Sequence, residues 1–276
     1  MVLSAACFAG MSLLVKGLDG RVPVFVLAFF RSVLAIPLLT AELRRSDTPI
    51  TSPSWPTLAM RGTWGVLAML CYFRAIETIP LADAVMLNYA SPAFAAFFAI
   101  VLLGERPTAR VVVALGLAVI AVAALAGPTF SGAALETTIA AGAGVFSGAA
   151  YATVKHLTAT DPPLRIVWWF NTVASLAMLP LAIAAWTVPS ARDGLLLVGI
   201  ALFGTAGQLL MTAGFRQGPI SRSAIPTVLV LAFSTLGAWV LWGEVPSPWS
   251  WAGIAASVAA VALIAGETRT IGPARP

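Results

Sequence analysis

Few residues in this 276-residue chain could do chemistry, and they do not assemble into a catalytic set. The single histidine, His156, stands beside Lys155. One His supplies neither an intramembrane metalloprotease site nor a multi-histidine relay. HExxH, CxxC and Walker A motifs are absent, and Gly142-x-Gly144-x-x-x-Gly148 has the wrong spacing for a dinucleotide loop. The acids Glu77, Asp83, Glu105 and Glu244 fall at the ends of apolar runs. Cys7 and Cys71 fall inside such runs, and two isolated thiols make no disulfide framework and no metal site. No catalytic residue, metal or cofactor is expected.

What remains is a set of polar groups inside apolar sequence: Arg31, Arg61, Tyr72, Asn88, Tyr89, Tyr151, Asn171 and Gln208. Polar groups are costly in lipid and usually face a bundle interior. Asn88 and Gln208 are uncharged and lie mid-run. The tyrosines add aromatic surface with a polar tip. Tyr72, Asn88, Tyr89, Tyr151 and Gln208 therefore suit a cavity for a neutral or zwitterionic organic solute. For each of them an interhelical hydrogen bond is an equal alternative. Arg31 could bind a carboxylate, but is expected mainly to fix its helix by pairing with backbone carbonyls. With no carboxylate deep in an apolar run, facilitated transport is favoured over carboxylate-based proton coupling.

The elements that must position these groups are membrane spans. Apolar residues make up 59% of the chain, charged residues 10%, and mean hydropathy is +0.94. A soluble domain is nearer half apolar and a quarter charged. The runs are about 20 residues long, which suits helices crossing a bilayer and excludes a transmembrane β-barrel. Ten spans are expected: 1–18, 24–41, 56–75, 81–103, 109–126, 137–156, 164–187, 194–215, 222–242 and 249–266. Met1–Val15 lacks the basic region of a secretory signal and is expected to be a retained span, with room for natural residues before it. The pI of 9.9 does not signal nucleic acid, because the basic residues are scattered between spans.

The chain repeats itself at an offset of 139 residues. Lys16, Pro23, Gly65, Pro80, Gly104, Glu105, Pro107 and Gly127 recur as Lys155, Pro162, Gly204, Pro219, Gly243, Glu244, Pro246 and Gly266. Two domains follow, 1–137 and 138–276, with five spans each. Five is odd, so the second copy enters from the opposite side, giving an all-α membrane protein of two inverted-topology repeats. Placing both termini in the cytoplasm puts ten Lys and Arg inside and four outside. Pro92 and Pro226 are expected to interrupt the fourth span of each repeat, as in a transporter's broken helices. Glu105 and Glu244 follow helix-ending glycines and precede the next span. They are expected to serve helix-end electrostatics, with gating as the alternative. Ala6-x-x-x-Gly10 and Gly144-x-x-x-Gly148 are expected to be close-packing faces.

Several segments carry a resemblance: Ala28-Phe29-Phe30-Arg31, Tyr72-Phe73-Arg74-Ala75, Ser91-Pro92-Ala93-Phe94 and Leu103-Gly104-Glu105-Arg106. In this order, within a duplicated ten-span chain, they resemble the EamA-type members of the drug/metabolite transporter superfamily. The resemblance implies a basket of helices, with a cavity lined mainly by spans 1, 3, 4, 6, 8 and 9, and alternating access. It also implies a bacterial inner-membrane exporter of amino acids, aromatic and other neutral ones, acting as a monomer. The alternatives are a phosphorylated-sugar or nucleotide-sugar exchanger and an intramembrane enzyme. Phosphate-binding relatives use Lys and Arg in the cavity. Here Lys16 and Lys155 fall at span ends, and Phe170 stands at the repeat equivalent of Arg31.

Overall fold

The structure, a computed structural model, describes residues 2–88, 133–217 and 224–245, with scattered positions between 91 and 117 and between 248 and 262. The described residues are all helical, with no strand. They form α1 (Val2–Leu18), α2 (Val24–Val33), α3 (Ala35–Arg45), α4 (Trp55–Thr78) and α5 (Leu81–Asn88). After a gap come α6 (Ala133–Leu157), α7 (Pro163–Ala184), α8 (Ala191–Gln217) and α9 (Ala224–Trp242). The expected spans 109–126 and 249–266 lie almost wholly outside the described residues, as do Tyr89, Pro92 and Glu105.

Three stretches are long and apolar enough to cross a membrane: Val24–Arg45, Pro163–Ala184 and Ala191–Arg216. The first is α2 and α3 joined at Leu34. Pro37 has no N–H to offer the Val33 carbonyl, so the ladder breaks there while Leu34 still bonds Phe30 O at 3.1 Å. Pro226 does not have that effect. α9 runs unbroken through it from Ala224 to Trp242, contrary to the expected interruption.

Exposure is inverted relative to a water-soluble protein. Leu176, Ile183, Leu195 and Val240 are each more than 60% exposed, while Arg31, Arg61 and Asn171 are at most 3% exposed. Apolar surface of this extent suits lipid. Inside, α1 packs along α8 and α9, α6 along α4 and α5, and α2 along α7. Gly144 and Gly148 permit the α6–α5 approach. A Cβ at Gly144 would meet the Leu87 carbonyl, and one at Gly148 would sit 2.5 Å from Phe94 Cβ and 2.8 Å from Ala95 N. The small-x-x-x-small face is therefore a packing face.

One end of the bundle is tied by a buried polar knot. Arg165 Nη1 donates to Asp161 Oδ1 at 2.9 Å and Arg165 Nε to the Pro49 carbonyl at 2.8 Å. Trp169 Nε1 holds the Ile50 carbonyl at 2.9 Å, and Trp168 Nε1 holds Thr40 Oγ1 at 2.9 Å. The tandem tryptophans, expected to be an interfacial belt, thus staple the loop after α3 to α7. Burial pushes the Asp161 carboxyl up, but bonds from Ser52, Arg165 and Thr160 and the charge of Arg165 outweigh it and hold it below the usual carboxylate range. A depressed folded-state value gives stability that is present above the unfolded carboxylate value near pH ~4 and is lost as pH falls through the folded one. Asp161→Asn is expected to lower stability by about 3 kcal/mol at neutral pH, because it leaves Arg165 without its charge partner. It is also expected to flatten the acid limb in thermal unfolding from pH 7 to pH 3.

Candidate functional site

A cavity opens between α1, α2, α4, α5, α6, α7 and α8. Its polar lining comprises Arg31, Arg61, Tyr72, Asn88, Ser147, Tyr151 and Gln208. Its apolar lining includes Phe8, Met11, Met69, Phe73, Phe170 and Met211. Four of the five residues expected to bind substrate, Tyr72, Asn88, Tyr151 and Gln208, are thus brought to one cavity, while Tyr89 lies outside the described residues. Among the described residues, spans 2 and 7 join the expected lining through Arg31 and Phe170.

Each polar group is held differently. Ser12 Oγ donates to the Phe8 carbonyl at 2.8 Å, so at 2.7 Å the Tyr72 hydroxyl must be the donor to Ser12 Oγ. Tyr72 therefore ties α4 to α1 and presents its ring to the cavity. Asn88 Oδ1 accepts from Ser147 Oγ at 2.9 Å, joining α5 to α6. Tyr151 packs its ring 5.6 Å from Phe215. Gln208 Oε1 is buried and has no hydrogen-bond partner.

The guanidinium groups dominate the site. Arg31 Nη1 donates to Asn171 Oδ1 at 3.1 Å, and Asn171 is oriented by its own Nδ2 bond to the Val167 carbonyl at 2.8 Å. Arg31 is thus fixed by a side-chain amide, not by the carbonyls expected from sequence. Arg61 is 1% exposed, and its Nε and Nη1 have no partner. Both guanidiniums lie against one ring. Arg61 Cζ is 4.2 Å and Arg31 Cζ 4.9 Å from the Phe170 centroid. Phe170, the repeat equivalent of Arg31, is their common platform. Sequence reasoning flagged Arg61 as costly but left it out of the site; an Arg with no acid at helical spacing inside an apolar run was the available signal.

At one end of the bundle the chain closes. Gly243 ends α9 with φ +67°, the left-handed conformation that glycine adopts readily. Its N–H bonds Trp239 O at 2.9 Å, and the Glu244 N–H reaches Ala238 O at 3.4 Å. That turn sends Glu244 to Lys16 Nζ at 2.7 Å, while Glu244 Oε2 accepts the Leu81 N–H at 3.0 Å. Glu244 does serve a helix N-terminus, as expected, but it is that of α5, not that of the span that follows it. Arg21 and Asp193 pair nearby at 3.0 Å. Glu105 lies outside the described residues, and Pro226 is placed only as part of the α9 backbone.

Comparison with known proteins agrees with this arrangement. The profile of the EamA-like transporter family matches residues 1–127 and 135–266. The pseudopaline exporter CntI of Pseudomonas aeruginosa is 31% identical over 265 residues, covering 95% of this chain and 93% of the relative. Human solute carrier family 35 member G1 is 25% identical over 280 residues, covering 94% of this chain and 75% of the relative. A crystal structure superposes with a TM-score of 0.68 at 19% identity, over 97% of both chains, which speaks for the fold. These named relatives are an exporter and a solute carrier, not enzymes.

Proposed function

The chain belongs to the EamA-like transporter family, a multi-pass membrane transporter of small metabolites, and from that premise we propose that it exports amino acids or closely related metabolites by alternating access through the cavity. The carrying observation is the cavity itself, enclosed by helices of both halves and lined by Tyr72, Asn88, Tyr151 and Gln208. The setting is a bacterial inner membrane with both termini cytoplasmic. The ten-span bundle works as a monomer, because it encloses its own cavity.

The two halves, 1–137 and 138–276, act as inverted repeats. Helix ends support this at the offset read in the sequence: Leu18 and Leu157 end α1 and α6, and Thr78 and Gln217 end α4 and α8, each pair 139 residues apart. The packing is preserved when counterparts are exchanged, α1 on α8 becoming α6 on α4. With the termini inside, the Lys16–Glu244 tie lies on the outer side and holds that side closed. Among the described residues no carboxylate lines the cavity, which favours facilitated movement over proton coupling through an acid.

A second reading, exchange of phosphorylated sugars, draws on the two cavity arginines. Uptake of labelled amino acids and of sugar phosphates into proteoliposomes, with and without a pH gradient, separates the two. Saturable amino-acid flux without a gradient is expected. Sugar-phosphate exchange alone would replace the first reading with the second.

A further inference from the structure

We propose that the cavity is an anion site, and that its substrate is an amino-acid-like metabolite with at least two carboxylates, anchored by Arg61 and Arg31. This rests on the reading of the cavity as the transport site.

The first argument is charge. Two guanidiniums share one ring face-to-cation, with Cζ atoms 4.2 and 4.9 Å from the Phe170 centroid. The partner of Arg31 Nη1 is the neutral Asn171, and Nε and Nη1 of Arg61 have none. Among the described residues every ion pair lies elsewhere, and no carboxylate lines the cavity. A buried charge is tolerated when it is paired and hydrogen-bonded, and like charges at close quarters add to the cost. Cation–π contact with one shared ring offsets only part of that burden. An anionic ligand removes the remainder. A ligand with one carboxylate leaves a second guanidinium uncompensated, so two are required.

The second argument is that the backbone is shaped to hold these groups. Gly65 and Gly204 stand 139 residues apart, on α4 and α8. A Cβ at Gly65 would lie 2.5 Å from Arg61 Nη1 and 2.6 Å from Phe170 Cε2. A Cβ at Gly204 would lie 3.1 Å from Arg31 Nε and 3.3 Å from its Nη2. Each repeat therefore leaves out a side chain at the same register to seat one guanidinium.

The third argument sets the rest of the ligand. Gln208 Oε1, an acceptor on the same cavity wall, is buried without a partner. It calls for an N–H or O–H on the substrate. An amine next to carboxylates meets that need, and a planar guanidinium matches a carboxylate edge well.

The test is counterflow of radiolabelled L-glutamate in proteoliposomes, competed by L-aspartate, L-phenylalanine and glucose-6-phosphate. Saturable glutamate flux is expected, blocked by aspartate and resistant to phenylalanine. Arg61→Gln is expected to weaken the apparent affinity by about 100-fold, and Arg61→Lys to recover part of it. Because Arg61→Gln could fail to assemble, the wild-type protein is also melted in detergent with each compound. Glutamate, and not phenylalanine, is expected to raise its Tm. Phenylalanine flux that glutamate does not compete overturns the anion site and leaves the exporter reading intact. Glucose-6-phosphate flux in place of glutamate flux overturns the carboxylate assignment. Absence of flux for every compound, with no Tm shift, overturns both.

Discussion

Gly65→Ala is expected to cut transport to below about a tenth of wild type while leaving a protein that still assembles. The added methyl enters space held by Arg61 Nη1 and by the Phe170 ring edge. Neither neighbour gives way easily. Arg61 is fully buried, and Phe170 also carries Arg31. The cost of such overpacking is about 1–3 kcal/mol, within what a folded bundle survives. The functional cost is larger, because both guanidiniums move off their shared ring together. Gly194→Ala is the matched control: a Cβ there meets nothing within 4 Å. Initial flux rates of the two variants, normalised to monodisperse protein, check the expectation. Equal rates would remove the Arg61–Phe170 stack from the account.

Gly144→Val and Gly148→Val are expected to act on assembly itself. At Gly144 the obstacle is the Leu87 carbonyl, and at Gly148 it includes the Ala95 backbone nitrogen. Backbone cannot rotate aside as a side chain does, so α6 must separate from α5. That separation also pulls Ser147 from Asn88, which meet at 2.9 Å between the two glycines' neighbours. A loss beyond about 3 kcal/mol is expected, above the usual range for added methyl groups. The readout is the yield of monodisperse protein and its Tm in detergent. A valine variant with wild-type Tm would show that α6 and α5 do not pack this closely.

The fold was legible largely because it is written twice. The matched Lys, Pro and Gly positions marked helix ends that the structure places at the same spacing, such as Leu18 and Leu157. Spacing also carried the packing face, since Gly144 and Gly148 lie one turn apart on one side of α6. The site was half legible. Asn88, Tyr72, Tyr151 and Gln208 stood out because uncharged polar groups are rare in apolar runs. What each one bonds was not readable, because Ser12 and Ser147 look unremarkable in sequence. Arg61 was undervalued for a related reason. Sequence gives its depth but not its company, and only the fold brings it onto the same ring as Arg31. Glu244 shows the same limit. Its helix-capping chemistry followed from the Gly-Glu turn, but the capped helix comes from the other half of the chain, 163 residues away.

The central claim is that this cavity is the path across the membrane, reached alternately from each side. Cysteine labelling tests it most directly. In a chain with Cys7 and Cys71 replaced by alanine, Gln208→Cys places one thiol on the cavity wall. The protein is oriented in sealed vesicles and treated with a membrane-impermeant thiol reagent on one side or the other. Labelling from both sides, slowed on both by a transported substrate, is the result expected of alternating access. Labelling from one side only, unaffected by any transported compound, would contradict it.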